Sequence, residues 1–149
     1  MPIAIKDSKI DITSEKLTKE LAKKFTKYLK GGEFVFLYGE MGVGKTTFVK
    51  YLVNEYQKKN NLNQTEITSP TFSLLNEYQV KDIRIKHYDL FRINGKEDIN
   101  NLNIFEKDSK LITLIEWPQL IDDKQDIKYI ALTFNYLNDF KNRSVDIKV

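Results

Sequence analysis

An α/β fold, a mixed β-sheet with flanking helices, is predicted by three features of the sequence. Phe34, Val35, Phe36, Leu37 and Tyr38 form a short apolar, aromatic run of the kind that makes a buried strand. A glycine-rich turn follows it, and then Phe48, Leu52, Val53 and Tyr56 recur at helical spacing. Two later runs, 83–91 and 111–118, read as strands that carry an acid near their ends. With 149 residues, of which 41% are hydrophobic, the chain suits one domain, 1–149, built on a single core.

The turn is Gly39-Glu40-Met41-Gly42-Val43-Gly44, and with Lys45 and Thr46 it fits G-x-x-x-x-G-K-[ST]. Strand, turn and helix stand in the order a phosphate-binding loop needs, so the fold is read as P-loop NTPase-like. Glycines admit backbone dihedrals closed to other residues. The N–H groups of Glu40, Met41, Gly42, Val43 and Gly44, continuing into Lys45, Thr46 and Thr47, then form an anion nest at the positive end of the next helix. Lys45 reaches the β- and γ-phosphates as a mobile point charge, and the Thr46 hydroxyl is suited to Mg²⁺.

Bulk properties narrow the function. No run approaches the ~20 apolar residues of a membrane span, and Met1–Lys9 shows no stretch resembling a signal peptide. Cysteine is absent, which excludes disulfides and thiolate-bound zinc. A cytoplasmic protein without membrane attachment is expected. Net charge is +3, too small a bias to point to nucleic acid. Arginine occurs only at 84, 92 and 143, few for an enzyme that clamps a transferring phosphoryl group.

Taken in order, Ile3–Ile12 offers a short first strand. Thr13 or Ser14 can cap a helix with Glu15 in its first turn, and Leu17, Leu21, Phe25 and Leu29 give it one apolar stripe. Lys23, Lys24, Lys27 and Lys30 read as a solvated face near its negative end, and Gly31-Gly32 stops it. The helix after the phosphate loop runs to about Asn60. Next comes I-T-S-P-T-F-S, 67–73; it is equally an ordinary polar loop and a second loop within reach of a γ-phosphate. Phe72–Val80 and Ile83–Phe91 read as a hairpin turning at Lys81-Asp82. His87 reads as a hydrogen-bonded structural residue, and Asp89 falls where a strand end presents a carboxylate to Mg²⁺ or an attacking water. For Arg92 an acid partner is preferred to a phosphate contact. Residues 96–107 predict a short helix with Ile99, Leu102 and Phe105 inward. The strand at 111–118 ends in Glu116, where a P-loop enzyme places a carboxylate for Mg²⁺, and in Trp117, whose default role is packing. Two alternating strands, around 130–136 and 145–149, close the chain.

Four separated segments together resemble one family: G-E-M-G-V-G-K-T-T (39–47), S-P-T-F-S-L (69–74), H-Y-D-L-F-R (87–92) and I-E-W-P (115–118). They are similar to TsaE, formerly YjeE, a small bacterial P-loop ATPase family. The resemblance implies ATP and Mg²⁺ as cofactors. It also implies a role beside a TsaD–TsaB complex that installs threonylcarbamoyl-adenosine next to the anticodon, with tRNA met only through that complex. Carried over by position, Lys45 and Thr46 bind phosphate and Mg²⁺, Glu116 is the second magnesium ligand, and Asp89 serves hydrolysis. Ser69, Pro70, Thr71 and Phe72 match a mobile loop, Trp117 a position important for activity, and Thr13 and Arg143 regions lining the adenine. Phe91 stands where the family usually has tyrosine, Met41 and Val43 replace commoner leucine and alanine, and Asn103 replaces a frequent glycine.

The scarcity of arginine predicts slow hydrolysis by the isolated protein and acceleration by a partner. A GTPase would carry N-K-x-D and D-x-x-G segments, and neither occurs. A small P-loop kinase and a non-hydrolysing nucleotide-binding scaffold are the competing classes.

Overall fold

The computed structural model describes residues 8–70, 72–93, 95–121 and 127–149. Seven strands form one sheet: β1 (Ser8–Asp11), β2 (Phe34–Tyr38), β3 (Leu75–Val80), β4 (Ile83–Asp89), β5 (Leu111–Glu116), β6 (Tyr129–Leu137) and β7 (Asn142–Lys148). Their order is β1-β7-β6-β2-β5-β4-β3. The four central strands, β6, β2, β5 and β4, are parallel, whereas β3, β7 and β1 join antiparallel at the edges. This is the mixed P-loop NTPase-like sheet the sequence predicts.

Burial on both faces explains the unbroken apolar run of β2. Val35 and Leu37 face helices α1 (Glu15–Tyr28) and α2 (Lys45–Lys59), where Leu21, Phe25, Phe48, Leu52 and Val53 complete the larger core. Phe34 and Phe36 face the other way, into a second cluster with Tyr88, Leu90, Ile104 and Ile115. Helix α3 (Lys96–Asn101) lies on that second side, with Ile99 packed against the cluster. Among the described residues no helix is long and apolar enough to cross a membrane.

Local chemistry sets the element ends. Ser14 is the cap of α1, its hydroxyl accepting the Leu17 N–H at 3.2 Å. The Thr13 hydroxyl is used elsewhere: it accepts the Arg143 N–H at 3.1 Å and donates to Asp11 Oδ1 at 2.6 Å. The C-terminal end of α1 is closed by α2, whose Tyr56 hydroxyl donates to the Leu29 carbonyl at 2.6 Å. Helix α3 stops at Asn101, short of the expected 107, and Asn103 takes the left-handed conformation that asparagine tolerates. Leu102 and Phe105 still reach the second cluster, as expected, but from a turn. Strand β3 starts at Leu75 rather than Phe72, since Leu74 is left-handed and donates to the Pro70 carbonyl at 2.8 Å. The hairpin partner β4 ends at Asp89 because the Asp89 carboxylate turns back to accept the Phe91 N–H at 3.0 Å. Strand β5 ends at Glu116: Trp117 is left-handed and leads into a 3₁₀ turn at Pro118–Leu120.

Phe48 is the residue that fixes the glycine-rich turn to this frame. It is fully buried one turn into α2, with ring centroids 5.5 Å from Phe25 of α1 and 6.0 Å from Phe134 of β6. Phe48→Ala is expected to cost about 3–5 kcal/mol, the usual toll of truncating a buried phenylalanine. Urea unfolding followed by circular dichroism measures it.

Candidate functional site

Parallel strands bring their C-terminal ends to one edge of the sheet, and a crevice there is the natural site of an open α/β fold. In this chain β4 ends in Asp89 and β5 in Glu116, and the register places the two directly opposite each other. Both are nearly buried. The turn after β2 curls over the same edge. Together they enclose a cleft of about 320 Å³ lined by Met41, Gly42, Gly44, Lys45, Thr46, Thr47, Ser69, Asp89, Phe91, Arg92, Glu116 and Trp117.

The turn holds its shape through backbone that only glycine supplies. Gly39, at φ +143°, packs so tightly that a Cβ there would lie 2.9 Å from the Phe134 carbonyl oxygen and 2.9 Å from Val43 Cγ1. Gly44, at φ +119°, is the N-cap of α2 and brings no side-chain cap. The first N–H groups of a helix have no intrahelical partner, so here they are left to a ligand. Val43 is wholly buried and Glu40 is exposed outside the cleft, so any part they play in binding belongs to their backbone.

Lys45 sits at the centre. Its ammonium donates to the Gly39 carbonyl and lies 4.0 Å from the centroid of the Trp117 ring, a cation–π contact. Burial pushes this ammonium below the usual lysine range, while Glu116 and Asp89 pull it back up. Because its folded value is depressed, Lys45 adds stability as pH climbs through that value toward 10.5. Thr46 donates its hydroxyl to Glu116 Oε2 at 3.1 Å. Glu116 Oε2 also lies 2.6 Å from His87 Nε2. Asp89 accepts from the Ser69 hydroxyl at 2.7 Å, so the loop at 67–73 reaches the site through Ser69.

The cleft thus gathers Met41, Gly42, Gly44, Lys45, Thr46, Thr47, Ser69, Asp89, Glu116 and Trp117 of the residues singled out by sequence. Pro70 and Phe72 stand outside its lining, Pro70 buried and Phe72 the most exposed large hydrophobic residue among those described. Thr71 lies outside the described residues. Thr13 and Arg143 meet each other behind the turn. Arg143 donates to the Thr13 carbonyl at 3.0 Å, and its guanidinium lies 3.6 Å from where a Gly44 Cβ would be. Sequence reasoning did not single out Phe91 as a cleft residue, and it preferred an acid partner for Arg92, whereas Arg92 lines the cleft and lies 5.0 Å over the Phe72 ring. His87 and Asp89 share one face of β4, and that spacing of two was the available signal for the histidine.

Chemically, the arrangement offers a positive nest, an ammonium, a hydroxyl–carboxylate pair of hard oxygens and a second carboxylate beside it on the neighbouring strand. The family model for "Threonylcarbamoyl adenosine biosynthesis protein TsaE" matches residues 12–145. A protein of Rickettsia bellii named "tRNA threonylcarbamoyladenosine biosynthesis protein TsaE" is 36% identical over 135 residues, 91% of each chain. One of Rickettsia typhi with the same name is 40% identical over 110 residues, 74% of each. Among solved structures, Bacillus subtilus YdiB shares the fold with a TM-score of 0.66 at 22% identity, covering 94% of this chain and 83% of that one.

Glu116→Gln keeps the side chain's shape and removes a negative charge beside the ammonium. Lys45 is then expected to titrate lower still, and the Lys45 Cε resonance followed through an alkaline titration reports it. An unmoved midpoint would contradict the placement of these two groups.

Proposed function

Because the chain belongs to the TsaE family, with a role in threonylcarbamoyladenosine biosynthesis, we propose that it binds ATP with Mg²⁺ in this cleft and hydrolyses it slowly. In this reading it serves a TsaD–TsaB complex in the cytoplasm and meets tRNA only through that complex. The observation that carries the proposal is the convergence of Lys45, Thr46, Glu116 and Asp89 on one cleft from three separate elements.

The residues fit the implied ion. Adjacent ligands of an octahedral magnesium ion at ~2.1 Å lie ~3.0 Å apart, and Thr46 Oγ1 and Glu116 Oε2 are 3.1 Å apart. Two protein oxygens suit a cation that keeps waters and takes its remaining ligands from phosphates. When bound, the ion neutralises charge on the phosphoryl oxygens. Lys45 leaves the Gly39 carbonyl and the Trp117 ring to meet the β- and γ-phosphates. Asp89, across from Glu116, orients the attacking water.

Slow turnover follows from where the three arginines stand. Arg84 is tied to Glu106 at 2.8 Å and Asp108 at 3.3 Å on the far part of β4. Arg143 is held by Thr13 behind the turn. Arg92 is stacked on Phe72 at the mouth. Of the three, Arg92 lines the cleft, but among the described residues its contact is with Phe72 rather than a hydrogen bond aimed inward, and a missing positive charge at the transferring group is a recognised cause of slow hydrolysis. Exposed Met41, Phe72 and Phe91 on and around the mouth support a partner docking there and reordering Ser69, Asp89 and Arg92.

Lys45→Ala is expected to lose ATP affinity by at least ~10-fold, as befits removal of a charge-assisted phosphate contact. Asp89→Ala is expected to keep binding and lose hydrolysis. Calorimetric titration with ATP and a phosphate-release assay separate the two, and full hydrolysis by Asp89→Ala would leave only a scaffold or another catalytic group. Adding TsaD–TsaB is expected to raise the wild-type rate; equal rates with and without the complex would remove the partner from the mechanism.

A further inference from the structure

His87 is the only histidine in the chain, and it is completely buried on β4. Its Nε2 lies 2.6 Å from Glu116 Oε2. An ionised carboxylate can only accept, so this contact needs the hydrogen on Nε2. The other ring nitrogen, Nδ1, is buried with no hydrogen-bond partner among the described residues. Leaving a buried polar atom unsatisfied costs free energy. An apolar side chain would fill the same space without that cost. The position is therefore used for the bond to Glu116.

The register shows what the bond does. His87 pairs with Leu114, and Asp89 with Glu116. His87 therefore approaches Glu116 diagonally, from deeper in the sheet, on the side away from the cleft. Glutamate has three rotatable side-chain bonds, and two groups on the cleft side compete for its carboxylate. The Thr46 hydroxyl donates to it at 3.1 Å, and the Lys45 ammonium attracts it through space. A carboxylate free to swing would pair with the lysine and close the site. We infer that His87 is a positioning residue, which pins Glu116 from behind so that its carboxylate stays beside Thr46 in the pose that receives the magnesium ion. This inference rests on the reading of Thr46 and Glu116 as the magnesium site. Partners of this kind, one step removed from the ion, commonly change metal affinity by ~10–100-fold when lost.

A single histidine makes the test direct, because nitrogen-15-labelled protein gives one imidazole spin system. The expected spectrum of the wild-type protein shows hydrogen on Nε2 and a bare Nδ1, and Glu116→Ala should release that fixed tautomer. A dominant Nδ1–H form in wild type, or a pattern indifferent to Glu116→Ala, would overturn the inference. The functional arm uses the β,γ-methylene analogue of ATP, titrated with and without Mg²⁺. His87→Leu is expected to raise the Mg²⁺ concentration for half-maximal enhancement of binding by ~10-fold, and to leave analogue affinity without Mg²⁺ unchanged. His87→Gln, which restores a donor of similar reach, should recover most of the loss. An unchanged Mg²⁺ requirement in His87→Leu would overturn the role of His87 alone. Analogue binding by the wild-type protein that ignores Mg²⁺ would overturn the magnesium site itself, and this inference with it.

Discussion

Two carboxylates brought side by side at the ends of neighbouring parallel strands dominate this molecule's electrostatics. Asp89 and Glu116 are in register and almost out of solvent. Like charges placed directly opposite on adjacent strands repel, and burial amplifies the repulsion. A fold of ordinary stability has little room for such an arrangement unless opposite charge stands next to it. Lys45 supplies one positive charge, and the two acids offset part of its desolvation. Arg92 adds a second positive charge to the cleft lining, so Lys45 and Arg92 together balance Asp89 and Glu116 there. Buried carboxylates need hydrogen-bond donors, and these have them: Ser69 and the Phe91 N–H on Asp89, Thr46 and His87 on Glu116.

Seen this way, the larger architecture serves to bring three chain segments to one point. Parallel pairing of β4 and β5 aligns the acids. Parallel pairing of β2 with β5 sets the glycine-rich turn beside them. The aromatic contacts of Phe48 fix α2, and with it Lys45 and Thr46, to both α1 and β6. The antiparallel edges contribute little to the cleft itself, although β3 presents the loop that carries Ser69.

Local sequence was enough for what depends on local chemistry. The buried run 34–38, the glycine-rich turn and its helix, the hairpin turn at Lys81-Asp82 and the stripe of Leu21, Phe25 and Leu29, with Leu17 only half-buried at its start, all read from sequence, because each has its own period or its own turn residues. What failed was set by tertiary partners. Thr13 and Ser14 are equivalent caps in sequence, and it is the Arg143 N–H, 130 residues away, that occupies the Thr13 hydroxyl and leaves the cap to Ser14. The early end of α3 follows from a packing demand on residues 102–105 that no propensity encodes. In the site, the P-loop residues were legible from spacing. The contact between His87 and Glu116 was not, because it joins residues 29 apart whose meeting depends on strand register.

Every chemically active side chain of the cleft is engaged within the protein. Lys45 is held by the Gly39 carbonyl and the Trp117 ring, Asp89 by Ser69, and Arg92 by Phe72. A triphosphate entering the cleft must exchange these contacts for its own, so part of its binding free energy goes into displacement. Lys45 has the least to lose, since a phosphate is a stronger partner than a carbonyl and a ring. Asp89 has more, because Ser69 belongs to a loop whose next described aromatic, Phe72, projects into solvent and carries Arg92 with it. Under the proposed function, binding and hydrolysis are governed by different groups: the turn and Lys45 serve the first, while the second waits on the loop. A partner that covers Phe72 gains apolar area and moves Ser69 and Arg92 in one event. Under that proposal, the scarcity of arginine and the tie between loop and site have one consequence: hydrolysis is nearly silent alone and responds to a partner at the mouth.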